Sequence, residues 1–239
     1  MVKRENPDLS NSIDRDRHVY CDENYWNDFH ATDVKEGISQ KNVSRFWLTP
    51  FLSMFEKHKV HSILDLGCGL GYDAIALAKR NFAVTGIDYS ETAIHHAQQI
   101  ARQENVQSKF QVWDIAQPLP FPTHSFDAII SNLVLHSFPD LVVRSIFSEV
   151  ERCLKPAGLF LFHVNSIADI PHRTAIQAPA VELSPNFYRL GGGQTMHFFS
   201  EDYCRELLSS WILHQLEPIQ AKSQKRAWRC IAQTKATAL

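Results

Sequence analysis

The amino-acid sequence predicts an α/β protein built on an open, doubly wound, mostly parallel sheet, and three observations carry that prediction. From residue 60 onward, short and nearly continuous apolar runs alternate with helical stretches, as they do where parallel strands are covered by helices on both faces. Three of the nine glycines, at 67, 69 and 71, crowd one strand-to-helix turn. The last two apolar runs are separated only by the polar residues 221–226. A parallel crossover needs a dozen or more residues, so these two strands must form an antiparallel hairpin.

Composition sets the outer limits. A chain of 239 residues suits one large domain with appendages. With 44% hydrophobic and 21% charged residues, disorder and low-complexity classes are excluded for the whole. Lys plus Arg total 24 against 26 Asp plus Glu, so no global footprint for nucleic acid or acidic lipid exists. The five cysteines, at 21, 68, 153, 204 and 230, form no C-x-x-C pair, which points to a reducing compartment. The start M-V-K-R-E-N-P-D-L-S lacks a signal-like apolar stretch, and no run approaches the ~18 apolar residues of a membrane span. A cytoplasmic protein with no membrane partner is expected. Asn42-Val43-Ser44 matches a glycosylation tripeptide, which without a secretory signal reads as chance.

The elements follow in order. Residues 1–17 hold eight charges and little to bury, so a disordered tail is expected there. Residues 18–58 read as a helical cap, with eight aromatics between 20 and 55. Val43, Phe46, Trp47, Phe51, Met54 and Phe55 fall on one helical face, and Thr49-Pro50 reads as the N-cap and first residue of a second helix. Residues 59–239 form the main domain, with strands at 60–66, 82–88, 109–113, 126–132 and 158–165. Helices fall at about 72–80, 91–104 and 139–153, with Ser90 as an N-cap and Pro139 as a first residue. From 166 to 199 the rhythm lapses through Pro171, Pro179, Pro185 and the triple glycine 191–193, which reads as an insertion on the substrate side. Ser200 caps a last helix before the hairpin strands near 212–220 and 227–233.

The glycine turn reads I-L-D-L-G-C-G-L-G-Y-D. Glycines there let backbone amides approach a ligand, and the following helix N-terminus favours negative charge. A triphosphate loop would need a Lys after the glycines, and none is present. A dinucleotide turn would need a third glycine where Tyr72 stands. What remains is D-x-G-x-G-x-G, from Asp65 to Gly71, whose strand-end carboxylate repels a diphosphate and suits a cation.

With these motifs the sequence resembles the class I S-adenosylmethionine-dependent methyltransferases, over residues 60–165. The later motifs agree in order: Asp88 in G-I-D-Y-S, Asp114-Ile115 in V-W-D-I, the fourth strand S-F-D-A-I-I-S-N, and L-K-P-A-G before the fifth. The resemblance implies a seven-stranded sheet in order 3-2-1-4-5-7-6 with the seventh strand antiparallel. It also implies S-adenosyl-L-methionine as cofactor. Its methionine end would lie over Gly67, Gly69 and Gly71 near Asp65, its ribose at Asp88, and its adenine beside Tyr89, Asp114 and Ile115. The methyl group would point past Asn132.

His136 follows the fourth strand on the side where substrates approach in this fold, so it is a candidate catalytic base, with simple packing as the plainer reading. Tyr25 and Trp26 are expected in a lid near the sulfonium, since aromatic faces suit a cation. Tyr188, His197 and Phe198 are expected to supply the other wall of the substrate pocket, and packing of the cap on the sheet edge is the alternative. His95-His96 shows no metal-ligand spacing, and no metal is indicated. Lys222, Lys225, Arg226 and Arg229 read most simply as a solvated turn. Ser131-Asn132-Leu133-Val134 departs from the motif of amide- and adenine-nitrogen methyltransferases, and no Glu pair of the protein-arginine type follows the fourth strand. What is left looks most like the small-molecule branch, with no nucleic-acid partner. A tRNA or protein methyltransferase, or a cofactor-binding subunit without catalysis, stands as the alternative, and the oligomeric state is open.

Overall fold

The computed structural model describes residues 25–36, 47–220 and 225–236. The expected tail, the Asn42 tripeptide, Cys21, Val43, Phe46 and Lys222 lie outside them. The chain opens with α1 (Tyr25–Glu36), which buries none of its residues. A 3-10 turn, Thr49–Phe51, runs directly into α2 (Leu52–Lys57). Thr49 is therefore not the expected cap. Leu48 and Phe51 lie three apart and both are buried, and packing them together closes the turn one residue earlier, with Phe51 N donating to Leu48 O at 2.8 Å.

Then come β1 (Ser62–Leu66), α3 (Tyr72–Ala78), β2 (Ala83–Asp88), α4 (Glu91–Gln103), β3 (Ser108–Val112), β4 (Phe126–Asn132), a 3-10 turn at Leu135–Ser137, and α5 (Asp140–Cys153). Ser90 caps α4 as expected, its Oγ accepting from Ala93 N at 3.1 Å. Pro139 sits at the N-cap position of α5 with extended backbone, one residue before the place the sequence suggests. Strand β5 (Leu154–Asn165) starts four residues earlier than expected, because L-K-P-A pairs through an irregular register around Phe126 and Ala128.

The interval from 166 to 199 is not structureless. It holds a 3-10 turn (Ile167–Asp169), α6 (Ile170–Ile176) and a three-stranded antiparallel sheet, β6 (Val181–Ser184), β7 (Phe187–Arg189) and β8 (Thr195–His197). Strands of three or four residues are too short to show alternation in a sequence. The triple glycine lies in the β7–β8 turn, where Gly193 takes φ +87°. The chain then forms α7 (Glu201–Leu207), capped by Ser200, and the hairpin β9 (Ile212–Gln220) and β10 (Arg226–Gln233).

The main sheet has the order β3-β2-β1-β4-β5-β10-β9. Neighbours from β3 to β5 are parallel, and β10 is antiparallel to both β5 and β9. Both faces are buried. In β5, Phe160, Phe162 and Val164 join the cluster under α5, whereas Leu159 and Leu161 join the cluster under α2 and α3. That is the physical content of L-F-L-F: side chains alternate, and each side meets a helix layer. The carboxyl ends of β1, β2 and β4 face one cleft. Among the described residues no helix is long and apolar enough to cross a membrane.

Candidate active site

The glycine turn after β1 is built by backbone conformation. Gly71 has φ +78°, and a Cβ there would come within 2.6 Å of Ala97 and 3.0 Å of the Phe110 ring. It lets α3 start beside α4 and does not itself line the cleft. Gly67 and Gly69 do line it. Asp88, at the end of β2, ties the turn down. One of its oxygens accepts from Gly69 N at 2.8 Å and the other from Ser90 N at 2.9 Å.

Beside the turn lies an acidic group. Asp65 is 2% exposed, and its Oδ2 has no hydrogen-bond partner. Burial, then Asp73 and Asp88, push its carboxyl well above the usual range. Asp73 is raised too by burial, against the pull of hydrogen bonds from Trp47 Nε1 at 2.8 Å and Asn132 Nδ2 at 3.2 Å. The orientation of Asn132 follows from a chain of donors. Arg229 Nε can only donate, so His163 Nε2 accepts at 3.2 Å, His163 Nδ1–H donates to Asn132 Oδ1 at 3.2 Å, and the amide nitrogen is left to face Asp73. Burial and the charges of Arg229 and Lys225 hold the His163 pKa down at about 3, which keeps this ring neutral.

Tyr89, Trp113, Asp114 and Ile115 line the cleft beyond Asp88, and Asp114 accepts from Ala116 N at 2.9 Å. Over the opening lies α1, bringing Tyr25, Trp26, Phe29 and His30 to the cavity. It is tied through its first turn: Ser90 Oγ donates to Asn27 Oδ1 at 2.8 Å, and the Tyr25 hydroxyl donates to Gln194 Oε1 at 3.1 Å. His136 also lines the cleft, 5% exposed, with no partner on Nδ1. Burial, then Lys225, Arg173 and His197, push its pKa well below the ordinary value, so the imidazole is neutral.

Three expected wall residues lie elsewhere. In β8 the side chains alternate, so Met196 faces the main cleft while His197 turns to a second, smaller cavity shared with Phe198, Asp140, Arg144 and Tyr203. Phe198 is 1% exposed in a small cluster with Leu190 and Met196, and Tyr188 packs on its ring at 5.7 Å. The wall is supplied instead by Arg173, Gln177, Gln194 and Met196, with Lys225 from the hairpin. Lys225 is thus not part of a solvated turn. Arg229, in β10, is half-buried and pairs with Glu217, whereas Arg226 is exposed and its backbone N donates to Asp169. No spacing links residues so far apart, whereas Asp73, two residues past Gly71, was within reach of the motif.

A buried carboxylate oxygen without a partner, raised carboxyls and glycine backbone together call for a ligand with positive charge, and S-adenosylmethionine carries it on sulfonium and ammonium groups. A family model described as methyltransferase domain matches residues 63–158. The uncharacterized methyltransferase YcgJ of Bacillus subtilis (strain 168) is 35% identical over 101 residues, 42% of this chain and 39% of that protein. The tRNA N(3)-cytidine methyltransferase METTL2 of Danio rerio is 29% identical over 165 residues, 66% of this chain and 46% of that protein. The chain spans about half the length, or less, of the curated relatives it matches. Among solved structures, an S-adenosylmethionine-dependent methyltransferase from Methanosarcina mazei is 26% identical at a TM-score of 0.63, covering 73% of this chain and 92% of that one. The matched stretch carries the glycine turn, Asp88 and Asp114 in their places along the sheet, and residues 63–158 are a methyltransferase domain of the class I S-adenosylmethionine-dependent kind.

Proposed function

We propose that the protein transfers the methyl group of S-adenosyl-L-methionine to a small molecule held between α1 and the β6–β8 sheet. The observation that carries this reading is one continuous cavity of about 480 Å³, running from Asp65 and Gly67 to Arg173 and Lys225 with α1 across its mouth. Its volume lies in the range of small-molecule and cofactor sites. The cofactor supplies a methyl group on a sulfonium, a good leaving group for in-line displacement.

The chain's own task is then to hold the nucleophile in line and exclude water. Gly67 and Gly69 would hold the methionine end, Asp65 would face its charge, Asp88 would accept from the ribose hydroxyls, and Tyr89, Asp114 and Ile115 would border the adenine. Asn132, oriented by His163 and Asp73, borders the methyl path. Tyr25 and Trp26 close the acceptor side as a lid. His136 is neutral and offers a hydrogen bond. The charges of Lys225 and Arg173 oppose its protonation, which makes it a weak proton store.

A tRNA acceptor is the second reading, favoured by the likeness to the METTL2 protein. Calorimetric titration with S-adenosylmethionine, S-adenosylhomocysteine and NAD tests the cofactor assignment. The first two should bind and NAD should not, and tighter binding of NAD overturns it. Transfer of labelled methyl to a metabolite extract and not to total tRNA is the expected second result. Transfer to tRNA alone overturns the small-molecule reading.

A further inference from the structure

The cleft is electrically polarised. Asp65, Asp73 and Asp88 stand at the glycine-turn end, and two cations, Arg173 on α6 and Lys225 ahead of β10, line the same cavity at its other end. The anion that partly balances them, Asp169, is fully buried beside the cavity and does not line it. Its Oδ2 accepts from Arg173 Nε at 3.3 Å, and its Oδ1 is taken by Arg226 N at 3.0 Å. One carboxylate therefore serves two cations and a backbone amide.

Among the described residues, Lys225 Nζ makes no hydrogen bond or ion pair, and Arg173 uses only Nε, so its two terminal nitrogens carry open donors. The pair is held in place. Arg226, next to Lys225, donates from Nη1 to Ala168 O at 3.0 Å as well as from its backbone to Asp169, which fastens the start of β10 to the turn that leads into α6. Burial and then the Arg173 charge, against the pull of Asp169, bring Lys225 down to about 8, as expected where two cations share a partly dry space. Between the two charged ends the walls include Tyr25, Phe138 and Met196.

We propose that the methyl acceptor is an organic acid, an apolar body with one oxyanion group seated between Arg173 and Lys225. The inference rests on the reading of this cleft as the transfer site. It is a statement about the acceptor half only. An acid brought to this end keeps its charge away from the carboxylates at the other end and sets its body along the cavity toward Asn132.

The test is calorimetry on the full chain saturated with S-adenosylhomocysteine, using hexanoate, phenylacetate and phenyl phosphate, with hexanamide and phenylacetamide as neutral counterparts, and with total tRNA. Acids should bind at least about 10-fold more tightly than their amides, one decade of affinity being ~1.4 kcal/mol. Lys225→Gln should remove most of that difference while leaving amide and S-adenosylhomocysteine affinity unchanged. Arg173→Gln would strand the buried Asp169, so Arg173→Lys is the companion variant, expected to weaken acids less than Lys225→Gln does. Carboxylates ahead of phenyl phosphate identify the oxyanion as carboxylate, and the reverse order identifies it as phosphate. Equal affinity for acid and amide, an unchanged acid affinity in Lys225→Gln, no acid binding tighter than about 1 mM, or Lys225-dependent binding of tRNA alone each overturns the inference. If S-adenosylhomocysteine itself fails to bind, the underlying reading fails, and that outcome is distinct from the others.

Discussion

Asp88 meets two demands with one carboxylate. Its oxygens already accept from Gly69 and Ser90, yet each has a second lone pair that a ribose hydroxyl can use. Asp88→Ala is therefore expected to lower S-adenosylhomocysteine affinity by roughly 10–100-fold. The motif alone suggests little loss of stability, but the structure changes that expectation. Two amides lose their acceptor, one of them on the fully buried Ser90, so unfolding in urea should show a loss of about 1–3 kcal/mol. Full affinity in a folded variant would remove Asp88 from the ribose site. Lys225 gives a prediction in pH. The groups that face it are Arg173, Asp169, His136 and His163. With its pKa at about 8, Lys225 is charged below that pH and neutral above it, so acid binding should be strong near pH 7 and weaken as pH rises through about 8. For stability the sign is opposite. The folded pKa lies below the unfolded one, so the burial penalty is present at neutral pH and is relieved between about 8 and 10.5. Affinity measured from about pH 6.5 to about 9.5 should bend in wild type and stay flat in Lys225→Arg. A flat wild-type profile would exclude Lys225 from anion binding.

The elements differ in what holds them. α1 buries no residue, and its polar ties run to Ser90 and Gln194. Removing the chain through residue 36 should spare the sheet and weaken S-adenosylhomocysteine binding less than about 10-fold, while methyl transfer collapses for want of a closed acceptor side. Intact transfer would end the lid assignment. The cut must stop short of Trp47 and Leu48. Trp47 packs against the His163 ring and donates to Asp73, and Leu48 is wholly buried, a loss of about 2–5 kcal/mol if deleted. The cap expected as one segment over 18–58 therefore has, among the described residues, two parts that are held differently, α1 and the buried stretch from Trp47. Asp127, at the start of β4, fastens the start of β1. It accepts from His61 N, Ser62 N and Ser62 Oγ at 3.0, 2.8 and 2.9 Å and pairs with Lys155 at 2.7 Å. Burial raises its pKa, but these partners, Lys155 first, outweigh that and hold it at about 2. Asp127→Ala should destabilise the protein by about 1–2 kcal/mol at pH 7. A carboxyl with a depressed folded pKa stabilises above its unfolded value of 3.8 and loses that contribution as pH falls toward about 2. The urea midpoints of variant and wild type should draw together below pH 3.8 and converge at about pH 2.

At the scale of the molecule, cofactor binding is linked to folding. S-adenosylhomocysteine at about 100 times its Kd should add ~2.7 kcal/mol to stability, and for a chain of this size each kcal/mol raises Tm by about 2–4 °C. A thermal melt should therefore shift upward by about 5–10 °C, with no shift from NAD. An upward shift with NAD alone would contradict the glycine-turn assignment. The polarity of the cleft is also a property of the whole molecule, since its acidic end comes from β1, β2 and α3 and its basic end from α6 and the edge of β10.

The acidic half of the cleft was legible because its residues stand in short motifs. Glycines at 67, 69 and 71 and carboxylates at 65 and 88 sit at fixed distances from strand ends, and a strand end in a parallel sheet is itself legible from a run of apolar residues buried on both faces. The hairpin was legible from the shortness of its turn. Of the other half only Tyr25, Trp26 and His136 were read from the sequence; Arg173, Gln194 and Lys225 were not, because they come from three separate segments and meet only when the insertion folds and β10 docks on β5. The sides of a three-residue strand were equally hidden. Which of Met196 and His197 faces the cleft depends on how β8 pairs with β7, and a shift of one residue exchanges them. Sequence by itself determined the alternation of strands and helices and the closing hairpin, through periodicity and spacing, while the strand order followed from the resemblance its motifs carry. Only the tertiary structure brought Arg173, Gln177, Gln194 and Lys225 to the cavity wall in place of Tyr188, His197 and Phe198, because packing between distant segments has no signature in any one of them.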